Sequence, residues 1–196
     1  MIILFTGNGK GKTTAALGQA IRAIGQGKKV LMIQFIKGSW KTGEDLFLKK
    51  FKSLSLRETS RREENSLLTG DLPKGGKFKI IKGGRGFVGI AGDKLPLSIH
   101  QKAAQKTWKL VKKSILSKKY DLVILDEINV AIKLKLLSEK EVLKFLRKLP
   151  KNIDLILTGR GASKNLIKIS DIATEMKEIK YPKGIGGYVP KKGIEF

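Results

Sequence analysis

Phe5-Thr6-Gly7-Asn8-Gly9-Lys10-Gly11-Lys12-Thr13-Thr14 separates a short apolar run, Ile2 to Phe5, from a stretch of helical periodicity, Thr13 to Ile24. A continuous apolar run of that kind suits a strand covered on both faces. Beyond the glycines, Leu17, Ile21 and Ile24 share one helical face, Ala16, Ala20 and Ala23 permit close packing, and Gly25 and Gly27 end the helix. The turn between strand and helix has the composition of an anion cradle. Glycines let the backbone curl until successive N–H groups point at one phosphate, and the helix that starts there adds the positive end of its dipole. Lys12 supplies a point charge for phosphate oxygens, and the Thr13 hydroxyl is placed to ligate Mg²⁺. Thr6 stands where the strict G-x-x-x-x-G-K-[ST] pattern begins with glycine.

Working outward, strands and helices alternate. Val30 to Phe35 reads as a second buried strand, Phe78 to Ile81 as a further one, and Leu122 to Leu125 and Asp154 to Leu157 as two more. A last strand begins at Ile172-Ala173. Ala104, Trp108, Val111 and Ile115 recur at helical spacing. Ser138 with Glu141 makes a capping box, Val142, Phe145 and Leu149 form the buried face of the helix it starts, and Pro150 stops that helix. Between about 53 and 100 the pattern breaks into glycine-rich loop or insert sequence. The expected fold is α/β, a P-loop (RecA-like) domain over residues 1–196 with a mostly parallel sheet flanked by helices and right-handed crossovers.

Two further segments belong with the phosphate loop. Leu122-Val123-Ile124-Leu125-Asp126-Glu127 is an apolar strand ending in acids, which places carboxylates opposite the loop where they would hold a metal. Leu157-Thr158-Gly159-Arg160-Gly161-Ala162 sets a guanidinium at the same sheet edge, and the fork of arginine matches phosphate oxygens. Arg22, on the first helix, is a weaker candidate of the same kind.

Composition narrows the chemistry. The chain has no cysteine and one histidine, His100, so disulfides, thiolate metal sites and polyhistidine sites are excluded. Met1 runs straight into Ile2–Phe5, too short for the apolar region of a secretory signal, and no apolar run is long enough to cross a bilayer. A cytoplasmic protein is expected. Forty-one Lys and Arg against 17 Asp and Glu give +24, a field that attracts polyanions. The lysines are scattered, so this charge reads either as a solvated surface or as a docking face.

Read in order, Thr6–Ala16, Gln34-Phe-Ile-Lys-Gly38, Gly86-Phe-Val88, Leu125-Asp-Glu-Ile-Asn-Val-Ala131, Leu157-Thr-Gly-Arg-Gly-Ala162 and Gly193-Ile-Glu-Phe196 resemble the ATP:corrinoid adenosyltransferases of the P-loop type. The resemblance runs from Met1 to Phe196, with only about 57–85 hard to match. It implies that the 5′-deoxyadenosyl group of ATP passes to the cobalt of a reduced corrinoid while triphosphate leaves. It implies ATP contacts at Gly7, Asn8, Gly9, Lys10, Gly11, Lys12, Thr13, Thr14, Arg22 and Arg160, and a corrin contact at Phe87. Thr13 and Glu127, supported by Asp126, would hold Mg²⁺ or Mn²⁺, and Lys12, Arg160 and Glu127 would carry the catalysis. A homodimer and an acidic flavoprotein electron donor are implied too, with no specific nucleic acid and no membrane as partner.

Three departures from the family pattern stand out. Gly89 replaces the tryptophan of Gly-Phe-x-Trp, Tyr181 stands where histidine is common, and the sequence starts at the first strand without the N-terminal extension of many relatives. For the first, either Trp40 or another loop aromatic substitutes, or incomplete, base-off corrinoids are preferred. Two other readings share the phosphate loop or the corrin contact: a RecA-like nucleic-acid-dependent ATPase, and a corrinoid-binding carrier without catalysis.

Overall fold

The computed structural model describes residues 1–38, 40–58, 77–90, 92–180 and 191–194, the side chains of 51–58 excepted. Its strands are β1 (Ile2–Thr6), β2 (Lys29–Gln34), β3 (Lys77–Lys82), β4 (Leu122–Asp126), β5 (Asp154–Thr158) and β6 (Ile172–Glu175). Its helices are α1 (Lys12–Gly25), α2 (Gly43–Glu58), α3 (Leu97–Leu116), α4 (Ile128–Lys133), α5 (Glu139–Leu146) and α6 (Lys164–Ile169). The strands form one sheet in the order β3-β2-β4-β5-β1-β6, and every pairing is parallel.

Alternation along each strand feeds two apolar layers, because successive side chains point to opposite faces. Ile2 and Leu4 join one layer and Ile3 and Phe5 the other. The first layer is closed by α3 through Ala104, Trp108, Val111 and Ile115, and by α5 through Val142, Leu143 and Leu146. Trp108 meets Phe145 edge to face, with ring centroids 5.4 Å apart. On the other face, Ala16, Ala20 and Ile24 of α1 lie against Ile3, Met32 and Ile124. Ala16 and Ala20 are wholly buried, so the short side chains do bring α1 close to the sheet.

The chain divides into two compact units. One comprises Met1–Ser39 with Pro73–Ile179 and holds the whole sheet; the other comprises Trp40–Leu72 with Lys180–Phe196 and holds α2.

Several boundaries differ from the sequence expectation. The glycine-rich stretch is shorter, because α2 runs to Glu58 and α3 already begins at Leu97. The start of α2 has its own signal: Asp45 accepts the Thr42 N–H and hydroxyl at 2.8 and 2.9 Å, the carboxylate reaching back one turn to the cap residue. The helix α4 was not expected. The helix α5 ends at Leu146, four residues before Pro150 closes the segment, and Leu143 and Leu146 rather than Phe145 and Leu149 are its most buried side chains beside Val142. Of the capping box, the Ser138 hydroxyl accepts the Glu141 N–H at 3.4 Å. Tyr181 and Glu195-Phe196 lie outside the described residues.

Candidate active site

All six strands run the same way, so their carboxyl ends share one edge, the side on which open α/β sheets receive ligands. Thr6, Gln34, Lys82, Asp126, Thr158 and Glu175 end the strands there. The strand β5 lies between β1 and β4, so the strands bearing the phosphate loop and Asp126 are about 10 Å apart.

The loop after β1 closes around Lys12. This side chain is only 6% exposed, and its Nζ donates to the Gly7 carbonyl at 2.8 Å and to the Gly9 carbonyl. Burial pulls the Lys12 pKa down, the nearby Glu127 opposes that, and Arg160 adds to it. The chain leaving β6 walls the loop on its other side. Met176 accepts the Gly9 N–H at 2.7 Å and donates its own N–H to the Thr6 carbonyl at 2.8 Å. A Cβ at Gly7, whose φ is +94°, would fall 2.3 Å from the Met176 carbonyl oxygen, so only glycine fits there. The start of α1 is unlike those of α2 and α5. The latter carry acids in their first turns, whereas α1 has none and no side-chain cap. The starts of α3 and α4 are likewise acid-free and uncapped, so it is the glycine loop and the buried Lys12 beside α1 that suit its N-terminal N–H groups to an external anion.

Opposite the loop, Asp126 is fully buried and accepts three side-chain hydrogen bonds. Its Oδ1 accepts the Thr13 hydroxyl at 2.9 Å and the Thr158 hydroxyl at 2.8 Å, and its Oδ2 accepts Gln34 Nε2 at 3.1 Å. Glu127 takes a left-handed backbone with φ 62°, its N–H held by the Thr158 hydroxyl at 3.0 Å. Such a conformation in a non-glycine residue costs energy and points to a demand placed on the site. Burial, and then the charge of Asp126, push the Glu127 carboxyl up to about 7, against Lys12, Arg160 and Lys37. Two carboxyls and one hydroxyl form an all-oxygen set, and Mg²⁺ needs only one or two protein carboxylates beside water and phosphate. Burial first, and the charge of Asp126 second, disfavour the ionised Glu127, and a divalent cation would favour it, so the oxygen set fits Mg²⁺. Among the described residues no larger cluster of metal-ligating His, Cys, Asp or Glu side chains occurs.

Arg160 is exposed on the turn after β5, close enough to both Lys12 and Glu127 to perturb them. Asn129 holds this turn by donating Nδ2–H to the Gly159 carbonyl at 2.9 Å. The Ala162 N–H is bound by the Thr6 hydroxyl at 3.2 Å, which explains the threonine at the first loop position: it ties the phosphate loop to the arginine turn.

The structure therefore gathers Gly7, Gly9, Lys12, Thr13, Asp126, Glu127 and Arg160 into one cluster. Asn8, Lys10, Gly11 and Thr14 are exposed along the rim of the loop. Arg22 stands apart, exposed and ten residues along α1 from Lys12, a rise of about 15 Å. Phe87, 52% exposed, lies after β3, whose strand is four places from β1, or about 19 Å along the edge. Gln34 and Asn129, both buried, and Thr158 were missed as site residues. Gln34 and Thr158 end strands, and all three fall in segments that carry the family resemblance, which were the signals available for them.

A lysine-lined phosphate loop facing buried acids across a parallel sheet defines a nucleotide-binding α/β protein. Comparison with known proteins makes the class specific. Residues 1–196 match the family described as ATP:corrinoid adenosyltransferase BtuR/CobO/CobP. The chain is 32% identical to the corrinoid adenosyltransferase of Escherichia coli strain K12 over 181 residues, 92% of this chain and 78% of that protein. It is 31% identical over 196 residues to the Salmonella typhimurium corrinoid adenosyltransferase, covering all of this chain and 85% of the other. It is 34% identical over 198 residues to a Sinorhizobium corrinoid adenosyltransferase, with 100% and 80% covered. The chain belongs to the ATP:corrinoid adenosyltransferase family, and adenosyl transfer to a corrinoid is the activity that membership carries. This decides against the nucleic-acid-dependent ATPase and the non-catalytic carrier.

Proposed function

We propose that the phosphate loop of this transferase holds a leaving group rather than a phosphoryl group in transit. The nucleophilic cobalt of the reduced corrinoid forms a bond to the 5′ carbon of ATP, the bond from that carbon to the triphosphate oxygen breaks, and its electron pair departs with inorganic triphosphate. No proton needs to move, so no general base is required, in keeping with a cluster that contains no histidine.

Gly7 to Thr14 cradle the triphosphate, with Lys12 and Arg160 set against the charge that grows on the departing oxygen. Preorganised donors aimed at developing charge are worth several kcal/mol. Thr13 and Glu127, with Asp126 behind them, would hold Mg²⁺ or Mn²⁺, which when bound neutralises charge on the phosphate oxygens. Arg22 reaches a part of the nucleotide distant from Lys12, and Phe87 packs on the corrin. The observation that carries this reading is the uncapped, acid-free start of α1 beside the buried Lys12.

An anaerobic incubation with chemically reduced corrinoid, ATP and Mg²⁺ tests it. Formation of a cobalt–carbon bond with triphosphate as the stoichiometric co-product is expected. Orthophosphate as the sole product would refute it.

The same reading includes a cytoplasmic homodimer that takes electrons from an acidic flavoprotein. The +24 charge supports the last of these, because complementary fields speed encounter. Association rates that fall steeply with salt are expected; salt-independent rates would contradict it. No helix among the described residues is long and apolar enough to cross a membrane.

A further inference from the structure

Phe87, Ile90, Leu95, Leu97 and Ile99 all remain exposed between positions 87 and 99. Apolar side chains clustered at the surface mark a place that meets a ligand or partner. Most of this stretch lies between β3 and α3, outside either element, and besides the backbone bond from the Asp93 N–H to the Ile90 carbonyl at 3.2 Å a side chain holds its shape.

One carboxylate does so. Asp93 accepts the Gly89 N–H on Oδ2 at 2.9 Å and the Leu95 N–H on Oδ1 at 3.0 Å. Its Oδ2 also lies 3.0 Å from His100 Nε2, and the two side chains are only 8% and 2% exposed. An ionised carboxylate can only accept, so Nε2 carries the proton. The bonds from Gly89 and Leu95, and then the proximity of His100, hold the Asp93 carboxyl below the usual range. His100 belongs to the first turn of α3, whose Ala104, Trp108 and Val111 are in the core. Phe87 lies two residues before Gly89, and Gly89 takes φ +69°, a conformation in which tryptophan would be strained.

We propose that Asp93 is the positioning residue of the corrin-facing loop: anchored to α3 through His100, it fixes the turn at Gly89 and thereby the presentation of Phe87. This rests on the reading of Phe87 as the corrin contact. Where relatives of the Gly-Phe-x-Trp pattern carry a second aromatic, this chain has a turn closed on Asp93.

Steady-state kinetics of full-length Asp93→Ala, Asp93→Asn, Phe87→Ala and the Asp93→Ala/Phe87→Ala double variant test it, with reduced cobinamide and ATP varied in turn. Asp93→Ala should raise the corrinoid KM about tenfold, leaving kcat and the ATP KM within about twofold. Asp93→Asn, which keeps one acceptor oxygen, should fall between, and it carries the test alone should the alanine variant fail to fold. The double variant should be less impaired than the product of the single effects, because both act through one contact. An unmoved corrinoid KM in Asp93→Ala, with a raised one in Phe87→Ala, would overturn the positioning role and leave the corrin contact standing. If neither variant moved it, the corrin reading of the loop would fail as well. Equal losses in kcat and in both KM values would make Asp93 merely structural, and the proposal would fall.

Discussion

The two ends of the sheet's carboxyl edge invert the ordinary burial rule in opposite ways. At β1, β4 and β5, polar groups are buried: Lys12 is 6% exposed, and Asp126 and Thr158 are fully enclosed. After β3, apolar groups are exposed: Phe87 is 52% and Ile90 64% open to solvent. Each inversion suits a different task. Charge that appears in a transition state is best met by dipoles already fixed and shielded from water. A large flat ligand with apolar faces is best met by apolar surface that stays open to solvent. The division of labour predicts that substitutions at one end should register in the ATP terms and those at the other in the corrinoid terms.

The largest effect is expected from Lys12→Ala. Loss of the charge inside the phosphate loop should lower adenosyl transfer about 10²–10³-fold with weakened ATP binding, measured by cobalt–carbon bond formation and by nucleotide titration. A raised corrinoid KM with intact ATP affinity would break the comparison.

Glu127 sharpens it through pH. Its carboxyl is raised from 4.5 to about 7, so the native state holds a proton that the unfolded chain has already released. As pH climbs through this window, the unfolded state binds fewer protons and the stability of the nucleotide-free, metal-free protein falls. Glu127→Gln has no proton to lose, and at pH 8 it should be more stable than the parent by at most about 3 kcal/mol, with little difference at pH 4. Urea midpoints at the two pH values check this; parallel pH profiles would contradict it.

Arg160→Ala should reduce kcat by about 10- to 100-fold while changing ATP affinity less, since its charge matters most as triphosphate departs. Arg160→Lys should recover only part, the ammonium lacking the two-pronged donor geometry. The smallest effect belongs to the other end. Phe87→Ala should raise the corrinoid KM by about tenfold and leave nucleotide titrations within about twofold. A matching loss of ATP affinity would mean that the two ends are not separate.

How much of this could be read from residues alone follows from what each feature needs. The buried strands β1, β2 and β4 are continuous apolar runs, and in a parallel sheet covered on both faces that is their whole signature. Lys12, Thr13, Asp126, Glu127 and Arg160 sit beside strand ends, so strand positions were enough to bring them to one edge. The bonds of Asp126 with Gln34 and Thr158 depend on β4 lying between β2 and β5, an order that periodicity does not encode. The helix α4 has six residues, entered through the left-handed Glu127 without a side-chain cap, and so carries none of the usual start signals. The helix α2 did have one, Thr42 with Asp45, hidden by a weakly amphipathic run of lysines. The Asp93–His100 contact joins a loop to a helix start across a turn whose shape depends on Gly89, and no spacing rule anticipates it.

The most direct test is a titration of inorganic triphosphate with Mg²⁺ into the parent protein and into Lys12→Ala. If the loop exists to clasp the leaving group, triphosphate alone should bind one per chain, displace ATP, and lose about 100-fold in affinity without Lys12. Triphosphate that fails to compete with ATP, or that binds the variant as tightly as the parent, would contradict it.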